Sequence, residues 1–552
     1  MIRNPVLPGF NPDPSFCRVG DDFYIATSTF EWYPGVQIHH SRDLVNWTLV
    51  SRPLNRASQL DLRGNPDSCG VWAPCLSNSD GQFWLVYTDV KRFEGNFKDA
   101  HNYIVTAPAV TGPWSDPVYV NSSGFDPSLF HDEDGRKWVL NMVWNHRTGS
   151  IGGQPKAPAF DGILLQEWDA GQGRLVGPVT NIYRGTPLGL VEGPHLFKRN
   201  GWYYLITAEG GTGYEHAVTM ARSRELQGPY ETHPQRHLLT SKDAPGAALQ
   251  RAGHGQIVEL ADGSVYAAHL CTRPLPGTRR SPLGRETALQ RCEWHSDDWL
   301  YLAHGGQAPA LEVPAPRGAG PRLPRVAVQR QFAGCTALPP EFQWLRTPEP
   351  ERLFTLTGGA LRLFGRESVG SWFEQSLVAR RQEDHAFRAE TLLRFSPTNY
   401  QQAAGLTHYY NRHKFHFLAL TWHETLGRVL SILSCPGDWP DTRLQFPLAE
   451  PVRLPGHGPV QLAAEVDGER LQFQADWGEG WRDVGPVLDA SVISDEGGRG
   501  EHASFTGAFV GMLAFDTSGG ACAADYERFS YLPRLASTGH AAATAQAAAV
   551  DA

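Results

Sequence analysis

The sequence predicts an all-β protein, a five-bladed β-propeller followed by a C-terminal antiparallel β-sandwich. Three observations carry that prediction. The first is composition: 57 glycines, 41 prolines and 11% aromatics in 552 residues cut the chain into short aromatic or β-branched runs, and long runs with a 3.6-residue period are hard to find. The second is a repeat confined to the first ~300 residues. The third is a Pro/Gly/Ala-rich stretch from His304 to Pro324, after which strand-like alternation returns without the repeat.

Five runs make up the repeat: Phe23-Tyr-Ile-Ala-Thr-Ser, Phe83-Trp-Leu-Val-Tyr-Thr, Lys137-Trp-Val-Leu-Asn-Met, Tyr203-Tyr-Leu-Ile-Thr-Ala and Val265-Tyr-Ala-Ala-His-Leu. Each follows a turn signal (Gly20-Asp21-Asp22, Asp80-Gly81, Asp134-Gly135, Asn200-Gly201, Asp262-Gly263), which is how a hairpin is written. Aligned on Tyr24, Trp84, Trp138, Tyr204 and Tyr266, the runs are 60, 54, 66 and 62 residues apart, steps that suit one four-stranded blade plus loops.

Counting back from these aromatics exposes one position of the repeat. Twelve residues before Trp84, Trp138, Tyr204 and Tyr266 stand Trp72, Asp126, Glu192 and His254, and eleven before Tyr24 stands Asp13. Equivalent positions on successive blades surround one axis, so these five side chains are expected to converge. The proline after Asp13 and after Asp126 is read as holding each acid extended at a strand start.

The propeller is assigned to residues 1–303, the linker to 304–325 and the sandwich to 326–534, where runs such as Leu361-Arg-Leu-Phe and Phe415-His-Phe-Leu-Ala-Leu alternate without the repeat. The Ala-rich tail, 535–552, lacks an apolar face to bury and is expected to be disordered.

Charge and cysteines restrict the partners. A net charge of −9, spread along the chain without a basic run, offers no footprint for nucleic acid and no polybasic patch for anionic lipid. No stretch approaches the ~18 apolar residues of a membrane helix, and the first residues lack the apolar core of a signal peptide. Eight scattered cysteines without CxxC pairs fit reduced thiols. A soluble, cytoplasmic protein is expected.

Three carboxylates at one repeat position are costly, because like charges in a partly desolvated pocket push pKa values apart. That separation suits glycoside hydrolysis, which needs one carboxylic acid to protonate the leaving oxygen and one carboxylate to activate water or attack carbon. Phe30, Trp32, Trp72 and Trp144, in loops or near strand ends, would offer flat faces to a sugar ring.

Taken singly, each residue has a plainer reading. Asp before Pro is a common turn residue, Glu192 reads as a solvated loop charge, Trp72 and Trp144 as core, His254 as an interior histidine and Arg285 as an ion-paired loop residue. His408, His413 and His416 fit no familiar ligand spacing. No GxSxG, GxxxxGK[ST], HExxH or credible GxGxxG motif is present. Only the shared repeat position lifts the group.

Longer motifs sharpen the reading. Asn4-Pro-Val-Leu-Pro-Gly-Phe-Asn-Pro-Asp13-Pro-Ser, the stretch from Ser28 to His40, Gly70-Val-Trp72-Ala73-Pro, Ser123-Gly-Phe-Asp126, Glu192-Gly-Pro-His195, Ala208-Glu-Gly-Gly-Thr212, Pro282-Leu-Gly-Arg285-Glu-Thr and Phe505-Thr-Gly-Ala-Phe-Val-Gly511 together resemble glycoside hydrolase family 43, in particular its two-domain β-xylosidases. The resemblance implies an inverting exo-1,4-β-xylosidase acting on xylo-oligosaccharides, with α-L-arabinofuranosidase side activity. It assigns Asp13 as general base, Glu192 as general acid and Asp126 as the carboxylate that raises and orients the acid. Phe30, Trp72, Ala73, Trp144, Thr207, His254, Arg285 and Phe505 become substrate-binding residues, with Phe505 reaching over from the sandwich to close the pocket. No cofactor is implied as required, a calcium ion near His254 is admitted, and a homo-oligomer, dimer or tetramer, is expected. One departure is Gly193, where close relatives often have Ala, read as added backbone freedom beside the acid. The loop Pro274–Ser281 looks shorter than in some relatives. The alternatives are a primary α-L-arabinofuranosidase, a non-catalytic glycan-binding propeller, and a sandwich acting as an independent carbohydrate-binding module.

Overall fold

The structure, a computed structural model, describes residues 1–93, 97–149, 159–437, 442–498 and 504–534; the predicted tail lies outside the described residues. Each of the five recurring runs forms the second strand of a propeller blade. Around Tyr204, the strands Glu192–Arg199, Trp202–Glu209, Ala217–Ser223 and Glu231–Thr240 pair antiparallel in sequence order. The hairpin between the first two is written by Asn200-Gly201, whose φ values of 50° and 72° are both left-handed, as a two-residue type I′ turn requires.

The remaining blades begin at Ser15–Val19, Gly70–Val71, Ser128–His131 and Gln250–Glu259. In the second blade both Gly70–Val71 and Cys75–Ser79 pair with Gln82–Arg92. The inner strands Ser15–Val19, Cys75–Ser79, Ser128–His131, Glu192–Arg199 and Gln250–Glu259 touch in that order, and the last touches the first. The sheet positions predicted by the repeat therefore close into a five-membered ring. Apolar side chains fill the wedges between blades, as Val86, Ile104, Leu129 and Val139 do between the second and third.

Residues on either side of the ring tie its ends together. Ile2–Arg3 pairs with Glu312–Val313, so part of the Pro/Gly/Ala-rich stretch serves as a strand. The Asn4 amide imitates a backbone group: its Nδ2 donates to the Leu289 carbonyl at 2.7 Å and its Oδ1 accepts the Leu289 N–H at 2.8 Å.

Residues beyond the linker form one eight-stranded sheet and seven strands of a second eight-stranded sheet packed face to face with it, with Phe387, Leu406, Leu418, Phe473 and Tyr526 in the core between them. An edge strand of one sheet comes from the propeller: Trp32–Tyr33 pairs with Gln343–Leu345. This overturns the expectation that Trp32 offers its face to a sugar. It is fully buried, and its ring stacks on Phe509 of the sandwich with centroids 3.6 Å apart and planes 12° apart. The physical reason is that a strand joining another sheet places alternate side chains in that sheet's interface. One apolar cluster, with Phe10, Trp32, Phe125, Leu345 and Phe509, spans both parts, and the buried Asp67 of the propeller accepts Arg346 at 2.7 Å and Arg412 at 2.8 Å from the sandwich.

Candidate active site

The five residues at the common repeat position meet at the mouth of the ring. Asp13 and Asp126 lie two residues before their inner strands, Glu192 opens its strand, Trp72 sits between Gly70–Val71 and Cys75–Ser79, and His254 stands within Gln250–Glu259 at a break in pairing register. All five line one cavity of about 530 Å³, within the size range of small-molecule sites.

The expected extended backbone is not what positions the acids. Asp13 and Asp126 have φ of 55° and 53°, and His254 has φ of 44°. Non-glycine residues in this region carry a strain of ~1–3 kcal/mol each, sustained only where the surroundings fix the conformation. Here the fixing groups are visible. Asp13 Oδ2 accepts the Ser28 hydroxyl at 2.6 Å and Oδ1 accepts Arg285 Nη1 at 3.1 Å, while Asp126 Oδ2 accepts the Gly193 N–H at 3.1 Å.

The three carboxyls are buried, at 4%, 5% and 8% exposure for Asp13, Asp126 and Glu192, yet their electrostatics differ. Burial alone would raise Asp13, but Arg285, His254 and Ser28 together hold it below the usual carboxylate range. Burial lifts Glu192 to about 8, and the Asp13 charge adds to that rise against opposing pull from Arg285 and Lys98. Asp126 is raised by burial, then by the charges of Glu192 and Asp13. At neutral pH the site thus holds an ionised Asp13 and a proton on the Glu192–Asp126 pair. His195 and His216 are pushed down to about 3, first by burial and then by His254; both rings are neutral, and His216 Nδ1 lies 3.2 Å from the Glu209 carbonyl.

Aromatic rings build the rest of the wall. Phe30 and Trp72 stand 6.0 Å apart, and the Trp72 indole donates to the Ser68 carbonyl at 3.0 Å. Phe505 of the sandwich enters the propeller cavity with its ring 6.4 Å from Phe30, 5.9 Å from Trp72 and 5.3 Å from Phe93. Its N–H donates to Ser68 Oγ at 3.0 Å, and its carbonyl accepts Arg285 Nη2 at 2.9 Å. Ala73 lines the cavity beside Trp72.

Two of the predicted binding residues are not part of that wall. Trp144 packs edge-on against Phe160 at 5.5 Å and lies 4.5 Å under the Lys98 ammonium. Thr207 is buried in the second strand of its blade, paired with Thr219, its hydroxyl without a partner. Neither lines the cavity.

Sequence reasoning missed Ser28 as a partner of the base, Lys98, Phe93, and His216 with the glycine-rich turn before it, all at the site. Lys98 sits over four rings, Trp72, Phe93, Phe125 and Trp144, at 4.5–5.7 Å, and burial lowers its pKa to about 8. Nothing in the local sequence marks it, since its surroundings come from two blades. Ser28 and the Ala208–Thr212 turn lie inside motifs already singled out.

Gly193 does not act as a point of freedom. Its φ is 58°, and a Cβ there would stand 2.9 Å from His254 Nε2, so the glycine lets the acid's strand pass close to the histidine ring. The residues around His254 give no support to a calcium ion there. The ion takes six to eight oxygen ligands, waters included, and Asp13 Oδ1, 3.6 Å from His254 Nδ1, already accepts Arg285. Among the described residues no group of three or more His, Cys, Asp or Glu is arranged to hold a metal.

A propeller with carboxylates of split acidity around its axis, under an aromatic cavity, defines a glycoside hydrolase. The chain belongs to glycosyl hydrolases family 43, whose family model matches residues 2–300; residues 329–532 match the β-xylosidase C-terminal concanavalin A-like domain. It is similar to xylosidase/arabinosidase 43B of Humicola insolens, at 58% identity over 97% of this chain and 98% of that protein. It is also similar to the β-xylosidase of Bacillus subtilis strain 168, at 46% identity over 96% of this chain and 99% of that protein. The crystal structure of xylan β-1,4-xylosidase from Bacillus halodurans C-125 superposes with a TM-score of 0.92 at 49% identity, covering 96% of this chain and all of that one.

Proposed function

We propose that this glycoside hydrolase is an inverting exo-1,4-β-xylosidase that releases D-xylose from the non-reducing ends of xylo-oligosaccharides, with α-L-arabinofuranosidase side activity. The observation that carries the reading is the split between an ionised Asp13 and a protonated Glu192 on one cavity. Asp13 acts as the general base that takes a proton from the attacking water. Glu192 delivers its proton to the glycosidic oxygen; Asp126, through its bond to the Gly193 N–H, holds the acid's backbone, while burial and the Asp13 charge keep the acid's pKa high. Arg285, with its Nε buried and unpartnered, is suited to bind sugar hydroxyls, and Phe30 and Trp72 to face the ring's C–H surface. Phe505 closes one end of the cavity, which supports exo action.

The names of the similar proteins support the xylose and arabinose specificities. The buried thiols of Cys17, Cys75, Cys271 and Cys292 support a reducing, cytoplasmic setting.

The test compares aryl β-D-xyloside with aryl α-L-arabinofuranoside and follows the anomer first released by NMR. Faster hydrolysis of the xyloside, with α-xylose appearing first, is expected; β-xylose as first product would overturn inversion, and a faster arabinofuranoside would make arabinofuranosidase the main activity. In the same assay, Gly193→Ala is expected to lower kcat/KM about tenfold and to lower the melting temperature, because the methyl group must displace His254 or the strained backbone. Wild-type rate and melting would show that the close approach is not required.

A further inference from the structure

The Phe505 segment closes the cavity. Its position is set by buried groups from elements far apart in the chain. On the propeller side, Ser68 Oγ accepts the Phe505 N–H, and the Ser68 N–H in turn donates to the buried Glu31 carboxylate at 3.1 Å. On the sandwich side, the Thr506 N–H donates to the Tyr410 hydroxyl at 2.8 Å, and that hydroxyl donates to Asp495 Oδ1. Asp495 is held by Arg251 of the fifth blade, whose Nη1 lies 3.4 Å from Oδ2 and whose Nη2 lies 2.7 Å from Glu496. Lys414 lies 4.2 Å from the Tyr410 ring and donates to Ser504 Oγ at 2.5 Å, next to Phe505 in sequence. Tyr410, Thr506 and Lys414 are 0% exposed and Asp495 is 2% exposed.

What makes this strut more than packing is the next bond. The Phe505 carbonyl accepts Arg285 Nη2, and the same guanidinium, through Nη1, donates to Asp13 Oδ1. A displacement of the 505–506 peptide therefore moves Arg285, and with it the cation that holds Asp13 ionised.

We infer that Tyr410, clamped by Asp495, is a positioning residue of the hydrolytic reaction: by fixing the Thr506 amide it sets the Phe505 carbonyl, which aims Arg285 at the base Asp13 and closes the sugar pocket. The inference rests on the proposed roles of Asp13 and Arg285. It gives the sandwich a task at the reacting centre besides carrying the Phe505 ring, and it explains why a tyrosine hydroxyl and a carboxylate are buried side by side at the domain junction, where unpaired polar groups are costly.

The test is Tyr410→Phe, with Asp495→Asn beside it and Asp13→Asn as the reference, each in the full chain and each with a thermal melt. Tyr410→Phe keeps the ring and removes only the hydroxyl. It is expected to lower kcat/KM on aryl β-D-xyloside about tenfold, the effect of leaving one buried N–H without its acceptor. The acid limb of its kcat/KM profile is expected to shift to higher pH. That shift is the signature of positioning, because the groups facing Asp13 are Arg285, His254, His216 and Ser28, with Glu192 and Asp126 beyond, and the strut reaches Arg285; Asp495, pushed up to about 6 by burial, also faces Arg285, and Asp495→Asn removes its titration from the profile. Asp495→Asn, which still accepts the tyrosine hydroxyl, is expected to retain most of the rate and an acid limb close to wild type. An unmoved acid limb in a folded Tyr410→Phe protein, whatever its rate, would overturn the inference. If Asp13→Asn instead hydrolyses like wild type, the assignment of the base itself fails, which is a separate result.

Discussion

Replacing Asp13 by Asn is expected to lower kcat/KM on every glycoside substrate by about 10³-fold or more, with no rescue by a better leaving group. General-base assistance is worth ~10²–10⁴-fold, and the base acts on the attacking water, so its loss is felt whatever departs. The substitution also leaves Arg285 buried without its charge partner, at 3% exposure, so a fall in melting temperature accompanies the rate loss. Steady-state rates on alkyl and aryl β-D-xylosides, read beside the melting curves, check both parts. A variant that retained activity on both substrates would remove Asp13 from the mechanism.

Glu192→Gln is expected to behave differently, and the contrast identifies the acid. For xylobiose, whose departing alkoxide needs a proton, a loss of about 10²–10⁴-fold is expected; for an activated aryl xyloside the loss shrinks greatly. In the wild-type protein the sign of the pH dependence follows from the two environments. Asp13 must be ionised, and its pKa lies below the usual range, so kcat/KM falls only on the acid side of that range. Glu192 must be protonated, so kcat/KM falls as pH rises through about 8. Lys98 pulls Glu192 down, and Lys98→Met is therefore expected to move the basic limb upward. A basic limb that survives in Glu192→Gln, or that moves downward in Lys98→Met, would assign it to another group.

The buried carboxyls also show how the site sustains like charges close together. Asp13 is stabilised as an anion by a cation and a hydroxyl that approach its two oxygens from different elements. Asp126 has one backbone N–H and faces Glu192 and Asp13. The pair lacking a full set of partners keeps the proton, and that proton is the one the leaving group needs.

Much of this is legible in the sequence. The blade hairpins are local, written by pairs such as Asn200-Gly201, and their regular spacing put Asp13, Trp72, Asp126, Glu192 and His254 at equivalent places, which the closed ring brings to one cavity. The place of Trp32 is not legible in the sequence, because its strand pairs with Gln343–Leu345 of the sandwich and no local pattern announces such a partner. The backbone at Asp13 and Asp126 is not legible locally: the following proline disfavours the helical region and suggests extended structure, whereas Ser28, Arg285 and Gly193 hold left-handed geometry in place.

The division has a simple cause. Chain-local information, namely turn chemistry, the two-residue period and a constant repeat length, determined that the protein is a propeller followed by a sandwich and which side chains face the axis. Which of those carboxyls is ionised, which tryptophan serves the pocket and which the core, and how Phe505 comes to lie 437 residues from the Ser68 hydroxyl that accepts its N–H were decided only by the tertiary structure, because burial and charge proximity are properties of residues that meet in space without being near in sequence.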